Sequence, residues 1–182
     1  MNYELWIMKH KPSIFNFQFS IVLLLTLAVF SACTISLTMS GASIPENLNT
    51  FSVQYINNRA PLVNPTLSQT LTDGLKDRIQ KESRLRLNED DADIVFSGDI
   101  TTYNTQPMAI KSDAVSAQTR LTISVKIQCR NFKDPKKDWQ KSFTAYREYD
   151  SEMNLSEVEE DLVNQIVDDL TQDIFNKAFA DW

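Results

Sequence analysis

The stretch Arg120–Leu–Thr–Ile–Ser–Val–Lys–Ile–Gln–Cys129 decides the fold. Leu121, Ile123, Val125, Ile127 and Cys129 alternate with Thr122, Ser124, Lys126 and Gln128 without a fault, the period of a strand with one face in a core and the other in water. Asp134–Pro135–Lys136–Lys137 supplies turn chemistry. Beyond it Trp139, Lys141, Phe143, Ala145, Arg147 and Tyr149 fall on one side, so the two runs predict a β-hairpin. Working outward, Ile94, Phe96, Gly98, Ile100 and Thr102 predict a strand that Pro107 ends. Phe51, Val53 and Tyr55 predict an earlier one, closed by Asn57–Asn58.

Two helices complete the pattern. Asn64 as N-cap and Pro65 at the first helical position open one, and Leu67, Leu71, Leu75 and Ile79 give it an apolar stripe that ends near Ser83. Ser156 and Glu159 read as a capping box for the other. Val158, Leu162, Ile166, Leu170, Ile174 and Ala178 recur every four residues along it, widened by Val163, Val167, Phe175 and Phe179. Its polar face holds Asp168, Asp169 and Asp173 with almost no Lys or Arg, which favours core packing over a membrane-surface helix. The order β-α-β-β-β-α predicts an α+β two-layer sandwich, a four-stranded mixed sheet with both helices on one face. Cys129, within an alternating strand, reads as a buried structural thiol.

Composition removes most catalytic classes. The 182 residues carry 18 Lys+Arg, 24 Asp+Glu and a single histidine, His10, so no Ser–His–Asp or Cys–His pair and no imidazole metal site can form in the domain. Gly41, Gly74 and Gly98 stand too far apart for a phosphate-cradling loop. Two cysteines cannot make a four-thiolate zinc site. No cofactor is expected, and the acidic balance argues against nucleic acid as a partner. The pairs Glu159–Glu160 and Asp168–Asp169 read as a solvated helix face rather than glycosidase acids. Glu89–Asp90–Asp91 lacks the spaced oxygens of a calcium loop.

The N-terminus reads as an address. Lys9–His10–Lys11 precedes Ile14, Phe15, Phe17 and Phe19, then the run Ile21–Phe30, whose only polar member is Thr26. Ten residues cannot cross hydrocarbon that requires about 20, so a secretory signal is the reading over a transmembrane anchor. Ser31–Ala32 before Cys33 resembles a lipobox, the cut site of bacterial lipoprotein signal peptidase. That resemblance implies a signal peptide over 1–32, acyl chains on Cys33, and a tether over 33–50 leading to a domain over 51–182. Several acyl chains make an effectively permanent anchor. Thr34 in place of an aspartate points to the outer membrane, and the lack of an acidic cluster after Cys33 to its periplasmic face. The mature chain has 150 residues and a charge of −7, a length that suits one domain.

Four stretches carry a resemblance to a known family: Gly41–Ala–Ser–Ile–Pro45; Asn58–Arg–Ala–Pro–Leu–Val–Asn–Pro–Thr–Leu–Ser–Gln–Thr70; Arg120 to Val125, running on to Asp134–Pro135; and Asp173–Ile–Phe–Asn–Lys–Ala178 with Trp182. Together they resemble the LptE family of lipopolysaccharide-assembly lipoproteins, in a divergent branch with acidic C-terminal helices. The resemblance implies a non-enzymatic role: a plug and assembly partner of the outer-membrane β-barrel that delivers lipopolysaccharide to the surface, with lipopolysaccharide itself as a ligand. A lipoprotein assembly factor of another secretion pore, pilotin-like, is the competing reading.

A polyanionic ligand directs attention to cations at strand tips. Arg130, Lys133, Lys136 and Lys137 crowd the hairpin turn. Arg120 and Lys126 are second in rank, and Lys111 lies beside the apolar triplet Met108–Ala109–Ile110 in the loop 106–118. Arg59–Ala60–Pro61–Leu62–Val63 is a second exposed-apolar candidate, with core packing as its alternative.

Overall fold

The computed structural model describes residues 44–62, 64–108 and 117–180. The signal segment, Cys33, most of the tether, Lys111 and Trp182 lie outside the described residues. Chain order is β1 (Thr50–Val53), β2 (Asn57–Asn58), α1 (Leu67–Glu82), β3 (Arg86–Leu87), β4 (Ile94–Pro107), β5 (Gln118–Asn131), a 3-10 turn (Pro135–Lys137), β6 (Trp139–Asp150) and α2 (Leu155–Phe179).

The sheet runs β3-β1-β4-β5-β6, with β2 also paired to β4. The α+β two-layer architecture is as expected, but there are six strands, not four. Both extra strands are two residues long, too short for an alternation signal. β2 continues β1 along the same edge of β4, since Phe51–Val53 pair with Ile94–Phe96 and Asn57–Asn58 with Asp99–Ile100, all parallel. Between them the Ile56 N–H donates to Thr72 Oγ1 of α1 at 3.1 Å, so the break in the ladder leaves no buried orphan there. β4, β5 and β6 form an antiparallel meander.

The hairpin is as the alternation predicts. Leu121, Ile123, Val125 and Ile127 are fully buried and Cys129 nearly so. Its thiol is free, and burial, with Asp138 adding to it, pushes the thiol up to about 12. In β4 the expected face fails at one place: a bulge between Ile100 and Thr102 inserts Thr101, and the inward position passes from Thr102 to Tyr103, which is buried. Gly98 allows the close approach just before it, because a Cβ there would lie 2.3 Å from the Lys126 carbonyl oxygen.

Both helices cover one face. α1 buries Leu67, Leu71, Leu75 and Ile79, plus Ser68 and Thr72. The helix begins at Leu67 with Thr66, not Asn64, at the N-cap position, although Asn64 Oδ1 accepts from the Thr66 and Leu67 N–H groups at 3.0 Å each and so holds the entry turn. The capping box expected of α2 is absent: Asn154 is the N-cap, and Glu159 instead accepts from Asn64 Nδ2 at 2.9 Å and from the Tyr103 hydroxyl. A buried tyrosine and the adjacent helix start draw that carboxylate away from its own backbone. α2 buries ten residues, nine of the expected stripe and Thr171, while the expected Val158 is only half-buried. The core also reaches earlier than the alternation: Leu48 is fully buried and Ile44 packs against the cluster.

Candidate functional site

The hairpin turn and the ends of the strands beside it form the candidate site. Asn131 sits at an inward position, 3 % exposed, and its Oδ1 accepts from the Lys133 and Asp134 N–H groups at 2.9 Å each. Its own N–H donates to Asp138 Oδ1 at 2.7 Å. Asp134 in turn accepts from the Lys136 N–H at 3.2 Å. Both turn aspartates thus face the backbone that they shape, and the lysines project outward, exposed.

The four turn cations divide between two sides. Arg130 and Lys133, with Phe132, border a groove of about 620 Å3 on the helix-free side of the sheet, closed opposite by Glu89, Asp90, Asp91 and Asp93. Lys136 and Lys137 border a smaller one of about 200 Å3 beside Trp139, Cys129 and Lys177 of α2. Lys177 was invisible in the sequence as a member of this group, because only the fold brings the end of α2 to the turn.

Asp93 is the hinge of the arrangement. Its Oδ2 accepts from the Asn49 and Thr50 N–H groups at 2.8 and 3.0 Å, and its Oδ1 pairs with Lys133 Nζ at 3.0 Å. Burial alone would raise its carboxyl, but the bonds from Asn49, Lys133 and Thr50 outweigh it and hold Asp93 below the usual carboxylate range. The Phe132 N–H donates to the Asp93 carbonyl at 2.8 Å, leaving the ring 62 % exposed. Phe132 was missed in the sequence, although its even position, on the polar parity of β5, was a usable signal.

Arg120 lies at the other end of β5, about ten residues or ~33 Å away. It donates to Glu148 Oε1 at 3.1 and 2.6 Å and stacks over the Tyr146 ring at 4.1 Å. It does not join the turn. Lys126 is exposed on the polar face between the two ends. Of the apolar candidates, Ala60 folds into the core while Leu62 is 57 % exposed, and Arg59 pairs with Asp99 at 2.8 Å. Among the described residues, no group of three or more His, Cys, Asp or Glu could hold a metal ion. No helix among them is long and apolar enough to cross a membrane.

The arrangement is that of a two-layer α+β domain with exposed cations on a turn and a polar sheet face. The sequence model of the LptE family, described as lipopolysaccharide-assembly, matches residues 48–178. The chain belongs to this family, and so is an outer-membrane-associated lipopolysaccharide-assembly lipoprotein, of a family that is non-enzymatic. No curated protein matches it significantly in sequence. Among solved structures, a Xanthomonas campestris protein aligns with a TM-score of 0.56 at 13% identity, covering 76% of this chain and 87% of its own. A hypothetical Chlamydia trachomatis protein aligns at 0.50 and 9% identity, covering 74% and 99%. These two show that the fold recurs at very low identity.

Proposed function

We propose that this protein is anchored through acylated Cys33 at the periplasmic face of the outer membrane. There it assists a β-barrel translocon that carries lipopolysaccharide to the surface, as plug and assembly partner. The match to the family over 48–178 carries this reading. The domain's role is to fit and to bind, not to catalyse. Arg130, Lys133, Lys136 and Lys137 are the proposed contacts for anionic groups, whether of the ligand, the barrel or the surrounding lipid, with Arg120 and Lys111 as outlying ones. Geometry supports the turn over Arg120, whose guanidinium is already engaged by Glu148 and Tyr146.

Affinity purification of the tagged full-length protein from mild detergent tests the reading. A large β-barrel should co-purify, and depletion should lower surface lipopolysaccharide while the barrel fails to mature. Recovery of a secretin ring instead, with lipopolysaccharide unaffected, would favour the pilotin-like alternative.

A further inference from the structure

The Asn49 and Thr50 amides and Lys133 share the Asp93 carboxylate, and the Phe132 amide bonds the Asp93 carbonyl. The chain therefore enters the domain at the same end of the sandwich as the hairpin turn. Only ten residues separate Cys33 from Ile44, the first described residue and one that packs against the core. Fully extended they span about 40 Å at most. If Cys33 carries the acyl chains, as proposed above, this end cannot stray far from the leaflet that holds them.

The charge distribution agrees. Over 44–50, 81–93, 130–138 and 175–179, the segments at this end, the chain carries eight Lys+Arg and eight Asp+Glu. The other described residues carry seven against thirteen. All of the net negative charge of the described residues thus lies away from the end where the tether joins. Within that end several of the acids are engaged, Glu82 by Arg78 and Glu89 by Lys76, while Glu46 and Asp90 are exposed. Asp134 and Asp138 accept backbone bonds in the turn, Asp93 is paired to Lys133, and Glu89–Asp91 lie across the groove. Arg130 and Lys136 are exposed, and neither forms an ion pair with a described residue. Phe132, an exposed aromatic between Arg130 and Lys133, gives the turn an apolar side chain flanked by cations, the make-up of a segment that settles at a bilayer interface.

We infer that the turn 130–137 is a second, non-covalent membrane contact: Phe132 enters the interfacial region of the anchoring leaflet while Arg130, Lys136 and Lys137 meet the phosphates of anionic phospholipids. One lipid modification plus a basic, aromatic contact holds the domain in a fixed orientation, with the acid-rich end of α2 pointing away from the bilayer. Each cation near an anionic surface contributes attraction that salt screens.

The test uses the full lipidated protein reconstituted into vesicles. A single environment-sensitive fluorophore is attached at Phe132→Cys, or at Met153→Cys beyond the far end of β6; the native Cys129 is buried and does not compete. In phosphatidylcholine containing phosphatidylglycerol, emission from position 132 should shift to the blue and be quenched by brominated lipid, and that from 153 should stay water-like. Triple replacement of Arg130, Lys136 and Lys137 by Glu should abolish the shift. Water-like emission at 132, or equal shielding at 153, overturns the docking. Shielding at 132 only when lipopolysaccharide is included assigns the turn to that ligand and overturns the phospholipid contact. Intact mass of the same sample reports the acyl chains separately: no shielding with lipid present refutes the docking alone, whereas an unmodified Cys33 refutes the anchor on which it rests.

Discussion

Gly98 and Asp93 are single residues on which the site depends, for opposite reasons. Gly98 is needed for what it lacks. A methyl there would press on the Lys126 carbonyl and on Ile127 Cδ1, 2.8 Å away, and backbone cannot yield as a side-chain tip does. Gly98→Ala should therefore cost roughly 1–3 kcal/mol, the range of overpacking, read as a lower urea midpoint with unchanged slope. Asp93 is needed for its charge. Its carboxyl is held below its unfolded value of about 3.8, so its contribution is complete above that value and is lost as pH falls through the lower, folded one. Asp93→Asn should accordingly lower stability at pH 7 and flatten the fall in stability below about pH 4. An acid-denaturation series on both proteins checks this, and identical slopes would mean that the amides of Asn49 and Thr50 do not depend on the charge. Cys129, with its thiol pushed up to about 12, should resist alkylation at pH 8 in the native state and react at the ordinary rate in urea.

At the scale of elements, the joint between the helices carries a polar clamp. Arg78 of α1 is largely buried and donates to Thr171 Oγ1 at 3.0 Å, to Glu82 Oε1 at 2.7 Å, and to Gln172 and Asp168 of α2. Gly74, a turn earlier, lets the helices close, with Val167 Cγ1 only 3.1 Å from where a Cβ would be. Arg78→Met keeps the apolar stem and removes the donors, so it should destabilise by about 1.5–3 kcal/mol, the worth of hydrogen bonds to charged groups. Thermal melts of the pair of proteins measure it, and a loss within 0.5 kcal/mol would relegate the clamp to the class of surface ion pairs. This joint also marks where the sequence stops being legible. Stripes such as Leu121 to Cys129 and Leu162 to Phe179 announce their faces because burial repeats with the period of the element. Arg78 looks like any solvent arginine until α2 is laid beside it. Likewise Ser156 and Glu159 matched a capping box by spacing, and only the arrival of Tyr103 and Asn64 explains why Glu159 turned elsewhere. The basic turn was readable as local charge; its neighbours Asp93 and Lys177, about 40 residues away on either side, were not.

At the scale of the whole molecule, a single core joins every element. Phe96 of β4 contacts Trp139 of β6 and Phe179 of α2 edge-on, at 6.5 and 6.2 Å between ring centres, and Trp139 reaches Phe143 at 6.0 Å. The aromatic chain thus couples the free-edge strand, the sheet centre and the last turn of α2 at the end where the turn site lies. No layer can detach without exposing the others, since α2 supplies ten buried residues that neither sheet nor α1 can cover. Unfolding should therefore be one cooperative transition. In the chain lacking 1–32 and with Trp182 replaced by Phe, Trp139 is the sole tryptophan and reports the hairpin end, while far-ultraviolet circular dichroism reports the helices. The two urea curves should coincide in midpoint and slope. A tryptophan signal lost first would show that the hairpin end frays independently, and the turn site could then not be held in place by the helical layer.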